Sequence, residues 1–293
     1  MTLPEFDAKF PHENACREYL LKSRWPSGVR CPRCGHAKIY ELARKPWHWQ
    51  CHQCAPQGYR FSVLVGTIFE NTNYPLIIWF KVMFLMLSSK KGISALQIQH
   101  MMGMGSYHTA LGMCHKVRSA LGNVEFRKLA GFVEVDETYV GGKAKNKHGG
   151  GSSGGLGIRR GVATKIAVIG AVRRKGNVIA RVLDNTKTET LDNFVHETVS
   201  HRVSLLSTDD HKGYRFIARD YPHGMVKHGA GEYVCGAIHT NTIEGFWSIV
   251  KRGIVGTFHK VSRKYLPLYV NEFEFRYNNR KNADIFGAAI RAC

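Results

Sequence analysis

Apolar residues recur at helical spacing in two stretches of the N-terminal half, residues 1–28 and 74–125. The first stretch predicts one short amphipathic helix around residues 13–22, ended by Trp25-Pro26. The second begins with PLIIWFKVMFLMLSS at 75–89, the most apolar window of the chain. This window of about 15 residues is short for a bilayer span. We therefore expect a buried helix there and no membrane partner.

Residues 131–293 alternate strand-like and helix-like patterns. Strands are predicted at FVEVDETYV (132–140), at a hairpin formed by 165–176 and 177–184 that turns at Lys175-Gly176-Asn177, and at SLLSTDD (204–210). Helices are predicted at 188–200, with a Thr cap, and at 240–256 and 261–281. This order of strands and helices is typical of an α/β domain.

Residues 29–65 hold four cysteines with the spacing of a zinc ribbon. CPRCG and CHQC are two C-x2-C knuckles separated by sixteen residues. The predicted ligands are Cys31, Cys34, Cys51 and Cys54. Four sulfur ligands complete a tetrahedral Zn²⁺ site and leave no open position, so one zinc ion with a structural role is expected.

The stretch KKGISALQIQHMMGMGSYHTALGMCHKVRSAL (90–121) predicts two short helices around a Gly103-Met104-Gly105 turn. The first helix should start near Ser94, and Ser106 should cap the second. Two helices joined by a glycine turn are similar to a helix-turn-helix DNA reader. The alternative is a helical connector with Met and Leu in its core. The DNA-binding candidates on the second helix are Tyr107, His108, Lys116 and Arg118.

The net charge of the chain indicates what kind of partner it binds. The chain has 42 Lys and Arg against 22 Asp and Glu, a formal net charge of +20, in 293 residues. So basic a chain most often binds a polyanion, and DNA or RNA is the first candidate; a merely solubilising surface is the plainer alternative. No secretory signal is visible in the first residues. We therefore expect a cytoplasmic protein whose cysteines bind metal rather than form disulfides.

Residues 141–161, GGKAKNKHGGGSSGGLGIRRG, are rich in Gly, Ser and basic residues. Such a composition cannot bury much apolar surface, so a mobile loop is predicted. The loop is either a plain linker or a basic flap that becomes ordered on a phosphate backbone. Its position directly after the acidic strand favours the flap.

Acidic residues are scarce in this chain, and three of them stand at positions that suit a metal site. Asp136 lies in the strand FVEVDETYV and Asp209 follows the apolar run of STDDHKGY. Glu244 and Lys251 are seven residues apart in HTNTIEGFWSIVKRG, which places them on one face of a helix. Three carboxylates from two strands and a helix can converge on paired divalent cations, as phosphoryl transfer requires.

Each acid also has a plainer interpretation. Asp136 could be salt-bridged in an edge strand, Asp209 could cap a helix, and Glu244 could be a solvated helix residue. The residues alone leave these alternatives open.

Taken together, VDETYVGGK, TDDHKGY, HTNTIEGFWSIVKRG and YVNEFEFRYNNRK resemble the DDE transposases of bacterial insertion sequences. The branch that they resemble is the ISXO-like group, which carries an N-terminal zinc ribbon. The resemblance covers the chain from Cys31 to about Lys281. It implies a ribonuclease-H-like catalytic core in residues 131–293, preceded by the four-cysteine zinc ribbon and the helical module.

The resemblance also implies roles for single residues. Asp136, Asp209 and Glu244 would bind Mg²⁺ or Mn²⁺, two ions in all. Lys251 would contact DNA near the cut, and Arg252 is a further DNA-binding candidate.

The third acidic position varies within this branch, so Asn241 or Glu272 could share the task of Glu244. Glu272 could equally belong to a helix that backs the sheet. Glu137 and Asp210 adjoin the preferred acids but should point away from them, because side chains alternate along a strand.

The implied function is transposition. The ribbon and helical module would bind terminal inverted repeats, and the acidic site would hydrolyse a phosphodiester and join the freed 3′-hydroxyl to target DNA. Holding two DNA ends implies a homodimer or a larger assembly, associated with the nucleoid when bound to DNA. An inert zinc-ribbon regulator or domesticated factor, and a stand-alone nuclease, are the alternatives.

Overall fold

A computed structural model describes residues 1–54, 56–122, 127–141, 165–210, 212–215, 217–226, 236 and 238–293. The chain divides into two compact units. The first unit is Met1–Val124 together with Lys281–Cys293, and the second is Glu125–Arg280.

The helices are α1 (Leu3–Lys9), α2 (Glu13–Arg24), α3 (Leu76–Ser88), α4 (Ala95–Met101), α5 (Tyr107–Leu121), α6 (Thr188–Thr198), α7 (Asn241–Gly253), α8 (Leu266–Asn278) and α9 (Ile285–Arg291). The strands are β1 (Tyr40–Glu41), β2 (His48–Cys51), β3 (Tyr59–Ser62), β4 (Leu129–Val140), β5 (Ile166–Arg173), β6 (Val178–Val182), β7 (Val199–Asp209) and β8 (His223–Val226). The sequence pattern predicts neither α1 nor β8, which are seven and four residues long and too short to show a clear period.

Aromatic side chains form the centre of the helical part of the first unit. The rings of Phe6, Phe10, Phe80 and Phe286 are buried and pack with centroid separations between 5.0 and 5.9 Å. Phe286 lies in α9, so the last residues of the chain belong to this unit. The sequence-based division, which runs one domain from 131 to 293, differs here because the partners of α9 lie far away in the sequence.

The apolar window 75–89 forms α3, with eight buried side chains. It is a core helix, as its pattern predicts. In the part of the chain that the structure describes, every helix is too short or too polar to cross a membrane.

The ribbon region is a three-stranded antiparallel sheet in the order β1-β2-β3. Trp49 and Phe61 are buried, and both rings lie about 6 Å from the ring of Trp25 at the end of α2. Arg24 donates to two carbonyl oxygens just after β3, at 2.6 and 2.7 Å. Side-chain packing and charged hydrogen bonds therefore hold this small sheet to α2.

The second unit is built on a five-stranded sheet in the order β6-β5-β4-β7-β8. The first three strands of the unit, β4, β5 and β6, pair antiparallel, whereas β7 and β8 extend the sheet in parallel with β4. The hairpin between β5 and β6 turns at Lys175, which has a φ of 59°. The expected mixed α/β architecture is present.

The two faces of the sheet bury different helices. Val133 and Val135 of β4 lie in a hydrophobic cluster with Leu191, Phe194 and Val195 of α6. Val140, on the opposite face of β4, lies in a cluster with residues of α7 and α8. Side chains alternate along a strand, so the even-numbered residues of β4 point toward α7 and α8.

Two details of the predicted elements need correction. The helix α6 begins behind Lys187 and has no side-chain cap, so the predicted Thr cap is wrong. The side-chain oxygen of Asn185 accepts hydrogen bonds from the Lys187 amide at 3.0 Å and from the Thr190 hydroxyl at 2.8 Å. The segment that enters α6 is therefore stabilised by Asn185 and not by a threonine cap. The strand predicted at 204–210 is longer and begins at Val199.

The outer edge of β6 is covered by side chains of α8. Asn278 accepts from the amide of Val178 at 2.7 Å and donates to its carbonyl at 2.9 Å, and Glu274 accepts from the amide of Ala180 at 2.9 Å. An uncovered edge strand would expose these groups to pairing with another chain. Helix α8 therefore completes the sheet at this side.

Glu274 gives stability a specific pH dependence. Burial raises the pKa of Glu274 to about 7, against the lowering effects of the Ala180 amide and Arg181. Between pH 4.5 and 7 the folded protein holds this proton and the unfolded chain releases it, so stability falls as pH rises. We expect the free energy of unfolding of the wild type, relative to Glu274→Gln, to drop by roughly 3 kcal/mol across that window. Urea unfolding at each pH measures it.

Acid can also release zinc and so change stability, but it does so equally in the wild type and in Glu274→Gln. The difference between the two proteins at each pH therefore excludes that effect. Asn278→Ala is the control, because it removes the neighbouring contact between α8 and β6 but no titratable group. It should show no such pH-dependent difference. A constant difference between wild type and Glu274→Gln would contradict the assignment.

Candidate functional site

The four cysteines of the ribbon come together. The Sγ atoms of Cys31 and Cys54 are 3.7 Å apart, and those of Cys34 and Cys51 are 3.6 Å apart. All four sulfur atoms lie within 4.8 Å of one another. Four sulfurs about 2.3 Å from a central zinc ion would be separated by about 3.8 Å along each edge of the tetrahedron. The quartet therefore fits a structural zinc site.

The predicted helix pair is present as α4 and α5. Ser94 caps α4 through its side chain, which accepts from the amide of Gln97, whereas Ser106 stands at the cap position of α5 without such a bond. Tyr107 is 43% exposed. His108 and Lys116 are also exposed. These three remain candidates for contact with DNA.

Arg118 is not such a candidate, and this prediction is wrong. Its side chain is only 1% exposed. It falls on the buried stripe of α5 with Cys114, Val117 and Leu121, which recurs at intervals of three and four residues. A charged residue on that stripe is directed into the unit and away from solvent.

In the second unit, strand register places two of the predicted acids side by side. The parallel pairing of β4 and β7 aligns Glu134 with Ser207. The paired residues end at Glu134 and Ser207, and the same register continued by two residues along each strand brings Asp209 beside Asp136, whose pKa the charge of Asp209 raises. Neighbouring strands lie about 4.8 Å apart, and aligned side chains share a face. Asp136 and Asp209 are therefore adjacent on the face that α7 covers.

Glu244 and Lys251 lie on α7, in its first and last turns. Both are exposed, while Ile243, Phe246 and Trp247 are buried against the sheet. The hydroxyl of Thr240 donates to Glu244 Oε1 at 2.8 Å. The predicted amphipathic helix is thus present, and both charged residues are accessible to solvent.

The neighbouring carboxylates act on the carboxyl group of Asp136. Burial, followed by the negative charges of Asp209, Glu137 and Glu244, raises the pKa of Asp136 to about 7. Carboxylates on β4, β7 and α7 are therefore near enough to repel. A concentration of partly buried negative charge of this kind is what a bound cation would neutralise.

The acids are less tightly gathered than the cysteines. Among the residues that the structure describes, only the cysteine quartet brings three or more ligand atoms within 4.8 Å of one another. Asp136, Asp209 and Glu244 thus do not converge on a single shared point. Two metal ions about 3.5–4 Å apart would need a wider set of ligands than one ion does.

Glu137 lies on the opposite face, as the alternation predicts. Its carboxylate accepts a hydrogen bond from the hydroxyl of Tyr214, which is buried in the cluster beneath α6. Burial, followed by the charge and hydrogen bond of Glu137, raises the pKa of Tyr214 well above its ordinary value. This contact ties β4 to the short 3-10 helix Lys212–Tyr214 that follows β7.

The other predicted residues lie as follows. Glu272 is fully buried in α8 and forms an ion pair with Arg276 at 3.4 Å, so it belongs to the helix that backs the sheet. Asn241 is the exposed first residue of α7, and Arg252 is exposed near its end. The basic loop predicted at 141–161 lies, apart from Gly141, outside the described residues.

Sequence reasoning missed Glu134. This acid is 0% exposed and accepts hydrogen bonds from the first turn of α7. The only signal in the sequence is a further carboxylate two residues before Asp136 in the same strand, which does not reveal its partner.

Comparison with known families adds the identity. Residues 128–278 match the ISXO2-like transposase domain, which is more than half of the chain, and residues 11–57 match the transposase zinc-ribbon domain. The chain belongs to the ISXO2-like transposase family. Family membership implies DNA binding.

One relative aligns with this transposase-family protein over nearly the whole length of both chains. An uncharacterized protein in transposable element ISH50 of Halobacterium salinarum is 27% identical over 276 residues, which is 91% of each chain. No solved structure matches. The family domains and the relative from an insertion sequence together support a transposase role.

The zinc assignment for this transposase-family protein can be tested by Cys31→Ser. Structural zinc binding is coupled to folding, so the variant should lose most of its zinc and melt its ribbon at lower temperature. Metal analysis of the purified chain measures the first effect. Cys16→Ser is the matched control, because Cys16 is buried in α2 outside the quartet and should leave zinc content unchanged. Full zinc stoichiometry in Cys31→Ser would refute the four-cysteine site.

Proposed function

We propose that this protein is the DNA transposase of an insertion sequence, with Asp136, Asp209 and Glu244 as ligands of a pair of Mg²⁺ or Mn²⁺ ions. The β4–β7 register supports the proposal, because its continuation beyond Glu134 and Ser207 would bring Asp136 and Asp209 together on the face covered by α7, the helix that bears Glu244. Oxygen donors with negative charge are the ligands that Mg²⁺ prefers. The donor set therefore suits the metals.

The core is proposed to be ribonuclease-H-like. Three antiparallel strands followed by two parallel ones, with helices on both faces, support this architecture. Asp136 and Asp209 both sit on strands in the interior of the sheet, which hold side chains more rigidly than loops do.

The proposed reaction has two phosphoryl transfers. In the first, the oxygen of water bonds to phosphorus as the P–O3′ bond breaks, leaving a 3′-hydroxyl on the element end. In the second, that hydroxyl loses its proton and its oxygen bonds to a target phosphorus as the target P–O3′ bond breaks, and the departing target O3′ takes up a proton to become a 3′-hydroxyl. The metal pair, when bound, supplies stabilisation of the attacking and leaving oxygens.

The protein's own cations serve to hold the DNA. Lys251 is exposed two turns beyond Glu244 and is placed to bind a phosphate near the reacting one. Arg252, beside it, and the exposed Tyr107, His108 and Lys116 of the first unit are proposed to contact DNA elsewhere. A net charge of +20 favours such contacts over a long stretch of backbone. Two element ends would be held by a homodimer or larger assembly on the nucleoid.

We expect Asp136→Asn and Asp209→Asn each to lower cleavage of DNA that carries the terminal repeats by at least about 100-fold. DNA binding should stay close to wild type, because neither side chain is proposed to grip DNA directly. The assay incubates the zinc-loaded protein with Mn²⁺ or Mg²⁺, labelled repeat DNA and a target plasmid.

Asp210→Asn is the matched control. It removes the same charge at the exposed position directly after β7, one residue beyond Asp209, and should retain most of the activity. Joined products from the wild type support transposition, whereas cleavage without joining indicates a nuclease. Binding without any cleavage, unchanged by Asp136→Asn, would replace the proposal with an inert DNA-binding protein.

A further inference from the structure

Glu134 is a carboxylate buried in the middle of a sheet, and its oxygens are fully engaged. Oε1 accepts from Arg174 Nε at 2.6 Å and from the Thr242 hydroxyl at 2.8 Å. Oε2 accepts from the amides of Thr242 and Ile243 at 2.7 and 3.1 Å. His239 Nδ1 lies 3.2 Å from Oε1. A carboxylate with this many donors has no need of a metal ion.

The two amides that Glu134 binds are those that a helix cap normally binds. Thr242 and Ile243 are the second and third residues of α7, and their amides have no partner within the helix. Thr240 stands at the cap position, but its side chain makes no capping bond. The carboxylate that caps α7 therefore comes from β4, which also places negative charge at the positive end of the helix.

This arrangement leaves the Thr240 hydroxyl available for another bond. Instead of capping α7, it donates to Glu244 Oε1 at 2.8 Å. The cap from Glu134 and the orientation of Glu244 are thus linked within one helical turn. Glu134 and Asp136 lie on the same face of β4, so one strand holds both a proposed ligand and the bond that sets the helix carrying another.

Arg174 extends the connection to the segment that enters α7. Its side chain donates to Glu134 and, through Nη2, to the carbonyl of His239 at 3.1 Å. Its own amide donates to the carbonyl of Phe132 in β4 at 2.9 Å. The start of α7 is therefore bound to the sheet through both its amides and its preceding backbone.

Gly170 sets how closely α7 approaches. It lies in β5, directly opposite Asp136 in the register. A Cβ atom at Gly170 would lie 2.7 Å from Cζ2 of Trp247 and 3.0 Å from Cδ1 of Ile243. Both side chains are buried in α7, so they have little room to yield. The missing side chain marks a close approach of helix to strand at the level of the proposed site.

We propose that Glu134 is a positioning residue, which together with Gly170 fixes the distance and rotation of α7 so that Glu244 faces Asp136 and Asp209. This inference rests on the proposed function of those three acids. It assigns Glu134 no contact with metal or DNA. A displacement of about 1 Å in a reacting geometry can lower a rate about 100-fold, so a fixed helix matters to the chemistry.

The test uses zinc-loaded full-length protein and two variants that disturb α7 in different ways. Glu134→Gln keeps the size of the side chain but replaces one acceptor oxygen by a donor that faces other donors. Gly170→Ala changes no charge and inserts one methyl group under Trp247. Mn²⁺ affinity is measured by electron paramagnetic resonance, without DNA, and kcat and KM are measured separately for cleavage.

Both variants are expected to bind Mn²⁺ at least about 10-fold more weakly, as loss of a supporting contact typically does. The kcat should fall by a similar or larger factor while KM for DNA stays within about threefold. Glu274→Gln is the control: it alters a buried carboxylate of the same unit that binds β6 rather than α7. Its Mn²⁺ affinity should equal that of the wild type.

The outcomes distinguish the positioning role of Glu134 and Gly170 from the proposed function of the protein. Folded Glu134→Gln and Gly170→Ala with wild-type Mn²⁺ affinity and kcat would overturn the positioning role, even though the wild type binds metal and cleaves. An equal loss of affinity in Glu274→Gln would also overturn it, because the effect would then be general. A wild type that neither binds Mn²⁺ nor cleaves DNA would sink the proposed function itself.

Discussion

The parallel pairing of β4 with β7 is the constraint on which the proposed site depends. A shift of one residue in β7 would turn Asp209 toward α6, and the same shift in β4 would turn Asp136 there, because side chains alternate with a period of two. What holds the register is the apolar packing on the other face, where Val133 and Leu206 are aligned and buried in one cluster. The hydrophobic core and the acidic site are therefore specified by the same strand pairing.

The three acids of β4 differ in the groups that surround their carboxylates. Glu134 and Glu137 accept hydrogen bonds from protein groups that belong to α7 and to the segment after β7. Asp136, between them, is raised in pKa by its burial and by the neighbouring carboxylates. Burying a charge without compensation costs free energy. The flanking acids thus contribute to the folded structure, and Asp136 is the one whose surroundings favour an added cation.

Sequence patterns predicted most elements of this fold, since α3, α5, α7 and the strands β4 to β7 all show clear patterns in the residues that they bury. Three features depended on tertiary contacts that no local pattern carries. Arg118 lies on a buried stripe although its charge suggests a surface residue. The last helix packs on aromatic residues near the start of the chain, and the roles of Glu134 and Gly170 exist only once α7 lies on the sheet. The acids themselves were found through the family resemblance and through their scarcity, but spacing alone could not show that Asp136 and Asp209 would align.

The electrostatics of the two functions oppose each other, and this opposition bears on the order of events. A net charge of +20 attracts DNA to the protein as a whole. The carboxylates of Asp136, Asp209 and Glu244 repel a phosphate brought among them, and the repulsion is stronger in a partly buried site than in water. Bound divalent cations would reverse the sign of the local charge. In the proposed mechanism, then, the surface cations can hold DNA without metal, but a scissile phosphate can enter among the acids only after the metals have neutralised them.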